Sequence, residues 1–225
     1  MIDIVLFAAF PYMAVLVAVL VGVYRYFNDR FSYSSFSSQF LENRALFWGS
    51  VPWHYAIIVI LLAHVLAVVF SGGWATLIAA PVRLYTLEVI GLALAIAALL
   101  GLMLLILRRL LNARIFIVTS TMDWVLLAAL LAQVALGLWT ALFYRWGSDW
   151  SIHTVVPWLV SLAKLSPDTE LVTSLPWVVK LHMLGGFVII ALFPFTRLVH
   201  LVTFPITYLW RPYQVVVWNR RKKQP

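Results

Sequence analysis

Five apolar runs dominate the chain, near residues 4–24, 52–70, 85–107, 122–144 and 177–202, with more polar stretches between them. Each is long enough to cross a hydrocarbon core about 30 Å thick, which takes roughly 20 helical residues. The runs are continuous instead of alternating, so they predict helices and not the strands of a barrel. Lipid demands that every backbone group find its partner within the span, which a helix provides. The expected fold is an all-α integral membrane protein, a five-transmembrane-helix bundle forming a single domain over 1–225, with a tail at 203–225. The first run has Asp3 and no basic residue ahead of it, and it is longer than a signal core, so it reads as a retained anchor. The longest connection, 145–176, contains Trp146, Trp150, Ile152, Val155, Val156, Trp158 and Leu159. It reads as a partly helical, amphipathic segment lying along the outer interface.

Composition excludes the main alternatives. The chain is 64% hydrophobic and 11% charged, against about 45–50% and 25% in soluble domains. A soluble particle and a disordered chain are both excluded. There is no Cys, which removes disulfides, iron–sulfur clusters, zinc–thiolate sites and covalently attached haem. A redox cofactor would have to be held by His, Met or non-covalent contacts. The net charge of +8 is carried mostly in loops beside the spans, so it reports orientation in lipid and not nucleic-acid binding. Arg25, Arg30, Arg44, Arg108, Arg109, Arg114, Arg211, Arg220, Arg221, Lys222 and Lys223 fall on one side, and Arg83, Arg145 and Lys164 on the other. That bias puts the N-terminus outside and the C-terminus in the cytoplasm of a multi-pass cytoplasmic (inner) membrane protein.

Four of the five histidines lie in two spans: His54 and His64 in the second, His182 and His200 in the fifth. Ionisable residues inside a membrane are costly and usually functional. His54 and His64 are separated by about 15 Å of helical rise and roughly 80° of rotation. On a continuous helix His182 and His200 would be five turns, or about 27 Å, apart and point the same way. Because the second and fifth spans run in opposite directions, His54 shares the inner level with His200, and His64 the outer level with His182. Antiparallel helices with His at two depths can ligate two stacked b-type haems. The mismatch between 15 and 27 Å calls for tilt, or for bending near Gly185–Gly186 and Pro194. A zinc site or proton relay is the other reading. Zinc favours clustered ligands with Cys or carboxylate support, and the acidic residues in spans, Glu88 and Asp123, sit on other helices. His153 reads as a surface residue of the outer loop.

Several stretches carry a family likeness. They are FPY near the start, YRYFNDRFSYSSFSSQFLE after the first span, HYAIIVILLAH in the second and MDWVLLAALLAQVALGL in the fourth. The most specific is KLHMLGGFVIIALFPFTRLVH, followed by FPITYLWRPYQVV. Over nearly its whole length the chain resembles the γ subunit of respiratory nitrate reductase, a dihaem cytochrome b membrane anchor. The resemblance implies five spans, an outside N-terminus and two haem b groups. It assigns His64 and His182 to a distal, outer haem, and His54 and His200 to a proximal, inner one. It further implies oxidation of menaquinol or ubiquinol beside the distal haem. Electrons would then pass to an iron–sulfur (beta) subunit and a molybdenum (alpha) subunit on the cytoplasmic face.

The chain departs from the family pattern at the quinol pocket. Arg83 stands where the family's best-known member has Lys, and Ala63 where Gly is common. Arg can donate to a quinone oxygen but does not lose its proton as Lys can, and its other role is that of an interfacial Arg whose head reaches water. Arg109 and Arg197 are candidate partners for haem propionates, or anchors of the inner face. The basic, aromatic tail from Trp210 onward serves the family as part of the surface that docks the iron–sulfur subunit. Two other functions stay open on sequence alone: the same dihaem quinol module serving a different molybdenum or sulfur-compound oxidoreductase, and a His-containing transporter. The transporter reading predicts inverted repeats and broken helices, and no repeat is visible.

Overall fold

The computed structural model describes residues 2–28 and 44–202, and these are helical apart from turns and loops, with no strand among them. Five helices are long and apolar enough to cross a membrane: Ile2–Asn28, Arg44–Val69, Pro81–Leu111, Thr121–Phe143 and Trp177–Phe195. We label them α1 (Ile2–Asn28), α2 (Arg44–Val69), α4 (Pro81–Leu111), α5 (Thr121–Phe143) and α7 (the regular part, Trp177–Leu192). Two of the shorter helices are labelled as well, α3 (Ser71–Ile78) and α6 (Val155–Ala163). The tail at 203–225 and Arg30 lie outside the described residues.

Local chemistry sets the boundaries. Pro81 opens α4 at a position where its missing N–H costs nothing. Ser120 and Asp123 form a reciprocal capping box that starts α5, with Asp123 N donating to Ser120 Oγ at 3.2 Å and Ser120 N donating to Asp123 Oδ2 at 3.0 Å. The second span begins earlier than the apolar run predicts, because α2 accommodates Pro52 in its interior and extends back to Arg44.

The fifth span differs from its sequence reading. A single helix does not run from 177 to 202. Regular helix ends at Leu192, a 3-10 turn covers Phe193–Phe195, and Thr196 is extended (φ −125°, ψ 178°) before a second 3-10 turn, Arg197–Leu201. Pro194 supplies the reason, since it lacks an N–H and crowds the preceding turn. Thr196 caps the new turn by accepting from Leu198 N at 3.4 Å, and Arg25 donates to the Pro194 carbonyl. Gly185 and Gly186, the other candidate bend, stay inside α7. His182 and His200 are therefore not five turns apart on one rod, and the mismatch between 15 and 27 Å does not arise in that form.

The helices pack in the order α2, α4, α5, α7, α1, each against the next. At the α2–α4 crossing a Cβ on Gly101 would stand 2.8 Å from Gly49 O and Trp53 N, so only glycine permits this approach. Trp53, Ala56, Ala98, Leu102, Leu105, Leu127 and Val134 fill the core between α2, α4 and α5. A second core joins α1 to the outer segment through Phe7, Trp158, Leu162 and Val172. The outer segment is partly helical as expected, but Trp158 is not an interfacial residue. It is 1% exposed and donates through Nε1 to Phe7 O at 2.9 Å, because α6 turns its apolar side under a π-helical turn of α1, Val5–Ala9.

Candidate functional site

The four span histidines sit on two helices that share no extended packing, α2 and the α7 segment. They meet through side chains. The rings of His54 and His200 stand 6.2 Å apart, centroid to centroid, at an interplanar angle of 70°. Two imidazoles sharing one metal from opposite sides, each about 2.0–2.1 Å away, would put their centroids about 6 Å apart. His64 and His182, at the other level, are near enough for a charge on one to act on the other. The break at Thr196 makes the first pairing feasible by carrying His200 on its own short turn. His153 is exposed in the outer segment, as expected.

Each of the four rings is oriented in the same way. His54 Nδ1 donates to Ser50 O at 2.8 Å, with Ser50 Oγ at 3.0 Å. His64 Nδ1 donates to Ile60 O at 2.8 Å, and His200 Nδ1 to Arg197 O at 2.5 Å. His182 Nδ1 donates to Gln133 O at 3.1 Å. A backbone carbonyl can only accept, so each bond fixes the proton on Nδ1 and leaves the Nε2 lone pair for another partner. Among the described residues no group of three or more His, Asp or Glu side chains converges to hold a metal ion. The donors come in pairs. Two axial imidazoles with second-nitrogen bonds to carbonyls form the donor set that a b-type haem takes.

The end of the bundle that carries His54 and His200 is cationic. Arg109 and Arg197 lie within electrostatic reach of Asp123, and Arg108 lies beside Arg109. Arg197 is bound in fork fashion, Nε donating to Asp123 Oδ1 at 2.5 Å and its Nη2 to Oδ2 at 3.0 Å. Asp123 is 5% exposed, so its carboxylate is removed from solvent while the Arg197 side chain stays partly exposed. Sequence reasoning set Asp123 aside as a residue on a helix other than those of the histidines. In the fold it holds the residue whose carbonyl orients His200. Arg109 makes one long bond, Nη1 to Leu105 O at 3.4 Å. Three cations against one carboxylate leave this end a surplus of positive charge.

Arg83 lies in the first turn of α4 and is exposed. Its Nε donates to Leu77 O at 2.6 Å and its Nη2 to Thr76 O at 3.0 Å, closing the C-terminal end of α3. Two of its five N–H groups are thus engaged and three remain. An open cavity of about 510 Å³ lies between the start of α3 and α6, beside Ser71, Val156, Ser161 and Lys164. A second, of about 440 Å³, lies beside Tyr144, Arg145, Trp150 and Val179. Neither includes Arg83 or a span histidine among its lining residues. Gln133 went unnoticed in the sequence. The available signal was that it is the sole amide side chain within the five predicted spans.

The comparisons with known proteins follow the same outline. The profile of the family described as nitrate reductase gamma subunit matches residues 3–219. The nitrate reductase gamma chain of Bacillus subtilis is 31% identical over 220 residues, covering 96% of this chain and 98% of that protein. The respiratory nitrate reductase 2 gamma chain of Escherichia coli is 32% identical over 213 residues, covering 92% and 93%. A nitrate reductase-like protein of Mycobacterium tuberculosis is 30% identical over 218 residues, and there the match spans 33% of a longer chain.

Proposed function

Because this chain belongs to the nitrate reductase gamma subunit family, we propose that it is the membrane-anchor cytochrome b subunit of a respiratory nitrate reductase. In this reading it oxidises menaquinol or ubiquinol near the outer face and delivers electrons to an iron–sulfur beta subunit. Nitrate is reduced on a molybdenum alpha subunit in the cytoplasm. The N-terminus is outside and the C-terminus inside, as the distribution of Lys and Arg indicates.

The single observation that carries the proposal is the His54–His200 ring pair at 6.2 Å, on a donor set whose Nδ1 atoms are all committed to carbonyls. His54 and His200 would hold the proximal haem b, and His64 and His182 the distal one. When bound, the haems supply one-electron chemistry, while the protein sets position and potential. The chain's own contribution is orientation and charge. Ser50, Ile60, Gln133 and Arg197 lend the carbonyls that fix the imidazoles. The arginines of the inner end supply positive charge for anionic propionates, Arg109 being the one with a single long bond. Arg197 is committed to Asp123, so its part is to hold His200, with any propionate contact secondary. Arg83, with three N–H groups remaining, would donate to a quinol oxygen on the outer side; a guanidinium takes up no proton, so the two protons the quinol loses on oxidation would pass to the outer water. Separating charge across the membrane conserves energy, about 2.3 kcal/mol per charge per 100 mV.

The test is a haem-to-protein ratio on the detergent-purified chain, with reduced-minus-oxidised spectra before and after a menaquinol analogue. Two b-type haems per chain, reducible by quinol, are expected. A folded chain without haem would overturn the proposal.

A further inference from the structure

Among the four histidines, His182 stands apart in the origin of its orienting bond. His54 and His64 donate to carbonyls one turn back on their own helix, and His200 to a carbonyl of its own short turn. His182 donates to a carbonyl on a different helix, Gln133 O of α5. Gln133 answers in the other direction, its Nε2 donating to His182 O at 3.0 Å. The two residues form a reciprocal clasp between α5 and α7, 49 positions apart in sequence.

Glycines make room for the clasp on both helices. A Cβ on Gly137, one turn along α5 from Gln133, would stand 2.8 Å from Cε1 of the His182 ring. A Cβ on Gly185, three residues along α7 from His182, would stand 2.2 Å from Gln133 Oε1. Both clashes are below any real Cβ contact, so alanine at either site displaces one arm. Gln133 Oε1 is itself buried with no hydrogen-bond partner among the described residues. A buried amide acceptor left unsatisfied is unfavourable, so what this side chain contributes lies at its other end, the Nε2 bond to His182 O.

We infer that Gln133 is a positioning residue for His182: its backbone carbonyl takes the Nδ1–H bond, while its amide, by holding His182 O, fixes the spacing and rotation at which that bond forms, and thereby tunes the outer site separately from the inner one. This rests on the assignment of His182 to a haem, and the test separates the two ideas. The first readout needs no haem. Ring ¹⁵N spectra of the full haem-free chain in detergent, with His182 assigned through a His182→Asn control, should show a single Nδ1–H tautomer. In Gln133→Leu, which keeps the carbonyl and loses the amide bond, the Nδ1–H tautomer should persist while the His182 ring signals shift and broaden as the ring's rotation is freed. An identical His182 signal in both proteins would overturn the inference.

The second readout uses the haem-loaded chain. Gln133→Leu and Gly137→Ala should each shift the low-field EPR signal and the midpoint potential of the outer haem, with those of the inner haem unmoved. Gly185→Ala, which ejects the amide and leaves position 133 untouched, should reproduce the Gln133→Leu shift. Unshifted outer-haem signals in all three would overturn the inference even with both haems bound. A shifted His182 ring signal in a chain that takes up no haem would instead uphold the clasp and sink the functional assignment.

Discussion

Replacing Asp123 by Asn removes the charge that holds Arg197 and keeps the size of the side chain. Asn can still accept from Ser120 N, so the capping role of the residue is mostly retained and the ion pair alone is lost. The pair is short and forked, at 2.5 and 3.0 Å, and Asp123 is almost wholly buried. Breaking a buried pair from one side costs about 3–5 kcal/mol. The Arg197 side chain keeps 31% of its surface exposed, so the cost falls at the lower end, about 3 kcal/mol or roughly a hundredfold in the local equilibrium. The strain should be felt at His200, whose Nδ1 bond runs to Arg197 O at 2.5 Å. Haem content and redox titration of the purified chain provide the assay. Partial loss of the inner haem, or a shifted inner midpoint, is expected with the outer haem intact. Full occupancy and an unchanged inner midpoint would refute the reasoning and give Arg197 a role other than holding His200.

Other outcomes follow from the same geometry. His64→Ala or His182→Ala should remove the outer haem and stop quinol oxidation, while His54→Ala or His200→Ala should remove the inner haem. His153→Ala should leave both, and optical spectra of the five variants check the assignment. Arg83→Ala should slow quinol oxidation with both haems retained, and steady-state kinetics with a quinol analogue decide whether the guanidinium serves substrate or only closes α3. Trp158→Ala removes a buried ring and its 2.9 Å bond to Phe7 O, a loss of about 3–5 kcal/mol, seen as a lower midpoint in thermal unfolding in detergent.

The five spans were legible because lipid as a solvent leaves few alternatives: a run of apolar residues of sufficient length has to be a helix. The rings of His54 and His200 stand 6.2 Å apart, and that they would come together was legible from helix direction and spacing. The exact geometry of His200 was not, because its position depends on where the chain stops being helical. Pro194 marked the region, yet Gly185 and Gly186 carried an equal signal and stay within α7. The partners of Asp123 and Gln133 were beyond a reading along the chain. Arg197 lies 74 positions from Asp123, and His182 lies 49 from Gln133, and nothing in local pattern announces such contacts. Trp158 misled for a different reason. Its type suits a membrane interface, and only the packing of α6 beneath α1 shows that its ring is enclosed.

The seal between α1 and the outer segment also imposes an order on biosynthesis. Trp158 bonds to Phe7 and Tyr12 donates to Leu162 O at 2.9 Å, across 151 and 150 positions of chain. A ribosome adding about 5–20 residues per second needs roughly 8–30 s to make that intervening length. For that interval α1 stands in the bilayer with its backbone satisfied but its closing partners not yet translated. Of the five spans described, α1 is the earliest to be made and among the last to be locked, and a nascent chain halted before residue 158 would carry an anchored but unsealed α1.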